Sequence, residues 1–196
     1  MRVILASTSR YRRELVARLG LAVECVSPDF DEDAAKQALC ALSIPERART
    51  LALGKAWSLG ARFPDAVILG SDQIAEIDGE PLGKPHTVEG ARAQLRRLSG
   101  RAHRLHTAVA LHHAASGHTE SDVDTHTLQM RSLDAAAIAD YVARDAPLDC
   151  AGSYRIEALG IALFEHVRGD DFTAVIGLPL TRVVTLLERF GVRVLA

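Results

Sequence analysis

A chain of 196 residues, 48% of them hydrophobic, suits one domain, or one domain of two small lobes, with a core of ordinary size. The charged fraction of 24% excludes a disordered chain, and a formal net charge of −2 argues against a nucleic-acid-coating protein, which would be strongly basic. Three widely spaced cysteines, Cys25, Cys40 and Cys150, exclude a disulfide framework and a zinc ribbon; with no apolar run near the roughly 18 residues of a membrane span, a reduced cytoplasmic protein is expected.

Arg2 to Ala6 reads as a short buried strand. Ser7, Thr8 and Ser9 offer helix-capping hydroxyls, and the helix they open runs to about Leu19, where Gly20 stops it. Ala22 to Val26 is a second strand, followed by an acidic loop from Asp29 to Asp33. Pro45 to about Arg62 is helical, and Ala66 to Gly70 is a third strand. Asp78-Gly79 is a hairpin turn between Ile74–Ile77 and Pro81–Leu82. Val88 to Leu98 is helical and ends at Gly100. Arg104 to His113 and His118 to Met130 form a long hairpin around Ser116-Gly117, with His112, His113 and His118 exposed near its turn. Asp134 opens a helix through Arg144, Tyr154 to Phe164 reads as a strand interrupted at Gly160, Leu178 to Phe190 is the last helix, and Val192 to Leu195 a final strand. Early β–α alternation followed by a long hairpin predicts an α/β protein with a mixed sheet.

Six segments carry residues suited to chemistry. In Ala6 to Arg13 a strand ends in hydroxyl residues where a helix begins, and such a place attracts phosphate. Arg12 and Arg13 add fork-shaped donors; an ordinary capped helix with solvated arginines has the same pattern. Asp31-Glu32, with Asp29 and Asp33, can hold Mg²⁺ or Mn²⁺ through oxygen, or be a solvated acidic turn. Lys55 lies between Gly54 and Ala56 in a helix, small neighbours that let a lysine reach into a cleft. Asp72, in Gly70-Ser71-Asp72-Gln73 directly after an apolar strand, is placed to take a proton from water or to bind metal; a turn aspartate capping backbone is the alternative. Gly83-Lys84-Pro85 fixes a lysine at a stiff exit from the hairpin. Glu157 sits in an otherwise apolar stretch and calls for a partner, such as Arg155, Lys84 or a ligand. The histidines form no zinc signature, no GxSxG serine is present, and the cysteines read as core residues.

Taken in order, these pieces resemble the Maf family of nucleoside triphosphate pyrophosphatases. The signature A-S-x-S-P-x-R is matched by Ala6 to Arg12, with Arg10 where the family has proline; Asp31-Glu32, Lys55-Ala56, Gly70 to Gln73, Gly83 to Pro85 and Gly177-Leu178-Pro179-Leu180 follow. The resemblance covers nearly the whole chain. It implies one Maf-like domain over residues 1–196, with a mixed, curved central sheet and flanking helices forming two lobes around a cleft, related to the ITPase fold. It implies a homodimer and attack of water on the α-phosphate of a nucleoside triphosphate, releasing pyrophosphate. Asp72 then matches the proton acceptor, Ser7, Arg12, Lys55 and Lys84 the phosphate-binding positions with Arg13 as a further candidate, and Glu32 with Asp72 the positions for a divalent metal, Mg²⁺ or Mn²⁺.

Tyr11, Gln73 and Glu157 resemble the branch that acts on 7-methyl-GTP; the branch acting on dTTP and UTP has Arg, Thr and Gln there. A 7-methylguanine ring is cationic and is attracted to an aromatic face, and Glu157 can accept from the guanine N1–H and N2–H₂ edge. Alanine and leucine follow Glu157 where a glycine is often found, so the base pocket differs from the family pattern. Two other readings predict different behaviour: the same reaction on dTTP, UTP or another modified nucleotide, and a nucleotide-binding cell-division regulator without turnover.

Overall fold

The computed structural model describes residues 1–195. Seven strands, β1 (Val3–Ala6), β2 (Val23–Val26), β3 (Val67–Ile77), β4 (Glu80–Leu82), β5 (Ala102–His113), β6 (His118–Met130) and β7 (Phe164–Arg168), form one sheet with the path β2-β1-β3-β5-β6-β7, and β4 pairs with β3 off that path. β1 runs parallel to β2 and to β3, whereas β3–β4 and β6–β7 are antiparallel, so the sheet is mixed and the fold is α/β. The helices are α1 (Arg10–Ala17), α2 (Glu32–Ala38), α3 (Ile44–Trp57), α4 (Val88–Leu98), α5 (Ala135–Asp145), α6 (Phe172–Ile176) and α7 (Leu180–Arg189).

The backbone divides into two compact units: residues 1–72, 107–124 and 171–196 form the first, and residues 73–106 and 125–170 the second. In the first unit every residue of β1 is buried, as expected of a strand covered on both faces, and its unbroken Val-Ile-Leu-Ala sequence follows from that. Val3, Leu5, Leu69, Leu111, Val183 and Leu187 share the core there. In the second unit α4 and α5 pack together. There the His103 imidazole is edge-on to Tyr154 at 5.5 Å, and Tyr154 is edge-on to Phe164 at 4.9 Å. His103 is buried, and that burial lowers its pKa from 6.5 to about 4, so the imidazole is neutral at pH 7.

Several sequence expectations change. The acidic loop is a helix start: the Asp31 carboxylate caps α2 by accepting from Ala34 N at 2.9 Å, and Glu32 is already helical. The helix read from Pro45 to Arg62 ends at Trp57. The third strand and the first arm of the hairpin are one 11-residue strand, so Gly70 to Gln73 lie inside β3 rather than after it. Asp78 and Gly79 make the turn with φ of 58° and 79°, the two positive values a tight two-residue hairpin requires. Tyr154 to Phe164 is not a strand. Ser153 has φ 62°, and Ala158 N and Ile161 N bond back three residues to Arg155 O and Ala158 O, winding the segment into tight turns until β7 begins. Val192 to Leu195 forms no strand, α7 begins at Leu180, and α6 was not foreseen. The cysteines are free thiols: Cys40 is exposed, Cys150 is half-buried, and Cys25, half-buried, packs against the core of the first unit.

Candidate active site

The first unit gathers Lys55, Asp72 and Glu32. Lys55 Nζ lies 2.6 Å from Asp72 Oδ1 and 2.7 Å from Glu32 Oε2. The Lys55 and Asp72 side chains are only 7% and 6% exposed, so the charges meet away from bulk water, where each depends on its partner. Two close approaches put them there. A Cβ on Gly70 would come within 2.2 Å of Ala52 O, so only glycine lets α3 lie this near β3, two residues before Asp72. A Cβ on Gly54 would meet the Phe30 ring at 2.4 Å, so glycine also leaves room for the chain that leads into Glu32.

Glu32 Oε1 pairs with Lys36 at 2.5 Å, one helical turn on. Burial acts to raise the Glu32 carboxyl, but the charges of Lys55 and Lys36 and their hydrogen bonds outweigh it and hold the group at about 2. Lys36 was missed by sequence reasoning, although its (i, i+4) spacing from Glu32 was the signal for it.

Arg12 and Ser71 converge on one backbone carbonyl: Arg12 Nε donates to Gly177 O at 2.9 Å and the Ser71 hydroxyl donates to the same oxygen at 3.2 Å. Burial lowers the Arg12 pKa while the fields of Asp72 and Glu32 raise it, and the guanidinium stays charged. The Gly177 turn is held by Asp171, whose carboxylate accepts from Thr173 N at 2.9 Å, Thr181 N at 2.8 Å and both threonine hydroxyls. Sequence reasoning did not mark Asp171; an aspartate followed by threonines at two residues and at ten was the only trace of it.

Ser7 is buried, and its Oγ accepts from Ser9 N at 3.1 Å, while Ser9 caps α1. Tyr11 is half-buried, with the Arg10 guanidinium 4.7 Å over its ring and Arg10 donating to its hydroxyl at 2.9 Å. The residue that replaces proline therefore lies against the aromatic ring. Arg13 is exposed on α1.

Gln73, Lys84 and Glu157 belong to the second unit; Gln73 is half-buried, and Lys84 and Glu157 are exposed. Glu157 is exposed in a turn whose neighbours Tyr154 and Ile156 are buried. Arg155 pairs with the buried Asp145 at 2.5 Å.

No group of three or more His, Cys, Asp and Glu side chains suited to a metal ion occurs among the described residues. Glu32 and Asp72 do meet on a single cationic atom, Lys55 Nζ. A pair of carboxylates fits Mg²⁺ or Mn²⁺, which take one or two carboxylates and complete their shells with phosphate oxygens and water. No helix among the described residues is long and apolar enough to cross a membrane.

Known proteins match the chain along nearly its whole length. A protein named 7-methyl-GTP pyrophosphatase from Bordetella pertussis is 46% identical, covering 97% of this chain and 92% of that protein. Proteins of the same name from Pseudomonas aeruginosa and Syntrophotalea carbinolica are 44% and 41% identical, covering 98% of this chain and 98% and 96% of theirs. The solved Ham1 protein of Staphylococcus aureus matches with a TM-score of 0.46 at 14% identity, over 66% of this chain and 72% of that one, too loose a likeness to carry an argument. The family described as Maf-like protein matches residues 2–190, and the chain belongs to it.

Proposed function

We propose that this protein is a nucleoside triphosphate pyrophosphatase that hydrolyses 7-methyl-GTP to 7-methyl-GMP and pyrophosphate, removing a modified nucleotide. The observation that carries the reaction is the buried Lys55 ammonium held between Asp72 and Glu32. Asp72, with Oδ1 engaged by Lys55, takes the proton of the attacking water on Oδ2. Lys55 Nζ and the Arg12 guanidinium offset the charge of the α-phosphate and of the leaving pyrophosphate, without which an anionic centre resists a nucleophile. Ser7 and the start of α1 offer further donors, with Arg13 at the outer edge. Lys84 takes a phosphate oxygen, and Gln73 and Glu157 read the base. A divalent cation bound by Glu32 and Asp72 would add charge neutralisation at the phosphates.

The choice of 7-methyl-GTP rests on the names of the relatives and on the resemblance at Tyr11, Gln73 and Glu157. The free cysteines support a reducing, cytoplasmic setting, and the homodimer rests on family resemblance.

The test is pyrophosphate release, with Mg²⁺ or Mn²⁺, from 7-methyl-GTP, GTP, dTTP, UTP and CTP. Preferential cleavage of 7-methyl-GTP is expected, with turnover by Asp72→Asn lower by about 10² to 10⁴-fold. Preference for dTTP or UTP discards the roles of Tyr11, Gln73 and Glu157 and keeps the reaction. Binding without cleavage of any nucleotide discards the reaction.

A further inference from the structure

Within the second unit, one side chain ties together the two segments to which phosphate and base recognition are assigned. Gln94, on α4, donates from Nε2 to Gly83 O at 2.9 Å, and its Oε1 accepts from the Ser153 hydroxyl at 2.6 Å. Gly83 precedes Lys84, and Ser153 closes the tight turn Ala151–Ser153, four residues before Glu157. A carbonyl only accepts, so the end of Gln94 that faces Gly83 is its NH₂ group, which leaves Oε1 for the serine. No apolar side chain of similar length supplies both a donor and an acceptor.

Other bonds hold each segment on its far side. His86 N donates to Leu148 O at 3.0 Å, so the short piece carrying Lys84 and Pro85 is tied at both ends. Arg155 N donates to the Tyr141 hydroxyl at 3.0 Å, and that hydroxyl donates to Asp145 at 2.7 Å, anchoring the piece carrying Glu157 to α5. Ser153 is fully buried at φ 62°, a conformation a serine keeps only when its surroundings hold it there. Gln94 bonds both Gly83 and Ser153.

We infer that Gln94 is a positioning residue for specificity, holding the segment of Lys84 and the segment of Glu157 through two separate hydrogen bonds. The inference rests on the substrate reading above, which assigns Lys84 and Glu157 their roles. It divides Gln94 into two arms: the amide NH₂ sets the phosphate lysine, and the amide oxygen sets the base-reading turn.

Gln94→Met removes both arms, Gln94→Glu keeps the acceptor for Ser153 and removes the donor to Gly83, and Ser153→Ala removes only the serine arm. Steady-state kinetics on 7-methyl-GTP and GTP separates them. Gln94→Met should raise KM for 7-methyl-GTP about tenfold and lower the preference over GTP about tenfold, with kcat changing less, each tenfold being the loss of about one hydrogen bond. Gln94→Glu should raise KM for both nucleotides alike and keep the preference; Ser153→Ala should lose preference with a smaller rise in KM. Amide hydrogen exchange is read in parallel, and Gln94→Met should speed it in residues 83–87 and 153–158 together. Wild-type KM and preference in Gln94→Met, equal responses of Gln94→Glu and Ser153→Ala, or exchange unchanged in either segment would overturn the inference. A wild type without preference for 7-methyl-GTP overturns the substrate reading instead, and the exchange experiment then still decides the role of Gln94.

Discussion

The two units present their candidate residues differently. In the first, Lys55, Asp72 and Glu32 are charged and close, Lys55 and Asp72 are withdrawn from water, and the ammonium stabilises both carboxylates. In the second, Lys84 and Glu157 are exposed, and the order lies beneath them in a scaffold that includes neutral hydrogen bonds through Gln94 and the Tyr141 hydroxyl. Buried ion pairs suit chemistry, where charge must be fixed in a low-dielectric place before the reaction begins. Exposed groups on a braced turn suit recognition, where a side chain must reach a ligand that arrives and leaves.

The largest way to break this contrast is Lys55→Met. It leaves two carboxylates facing each other without their shared cation, and should cost about 3–5 kcal/mol in urea unfolding as well as turnover. Lys84→Met, by contrast, should leave stability within about 0.5 kcal/mol, because it removes an exposed charge.

Acid should also separate the units. His103 has a folded pKa of about 4 against 6.5, so its neutral form favours folding above pH 6.5, and that contribution falls as pH drops to about 4. The loss should reach about 3 kcal/mol and disappear in His103→Gln, as read by chemical denaturation between pH 7 and 4. Glu32 is held at about 2 against 4.5, so its contribution is full above pH 4.5 and is lost as pH falls toward 2. Local exchange rates should therefore rise first in the second unit and at lower pH around α2.

Gly70→Ala sharpens the comparison within the first unit. The added methyl meets backbone rather than a movable side chain, so α3 must shift from β3, at about 1–3 kcal/mol. Because Lys55 moves with α3, turnover should fall more than stability alone explains, by up to about 10²-fold.

Local patterning made much of the architecture legible. The apolar run of β1, the caps of α1 and α5 and the Asp78-Gly79 turn each depend on neighbours a few residues apart, and all appear in the structure. The segment from Tyr154 to Phe164 was misread because its apolar residues suit a strand, whereas the backbone at Ser153 and the turn bonds that follow override that preference. The acidic run was misread because Asp31 serves as a cap, a role that depends on where Ala34 N points.

Sequence by itself determined the mixed α/β class, the position of most helices and the set of residue types able to handle a triphosphate, since these depend on local periodicity and side-chain chemistry. Tertiary structure decided that Lys55 stands between Asp72 and Glu32, that Arg12 and Ser71 meet at Gly177, and that Gln94 joins Gly83 to Ser153. These partners lie between 11 and 165 residues apart in the chain. No local propensity specifies such pairs; the packing of α3 on β3 and the folding of the turns bring them within bonding distance.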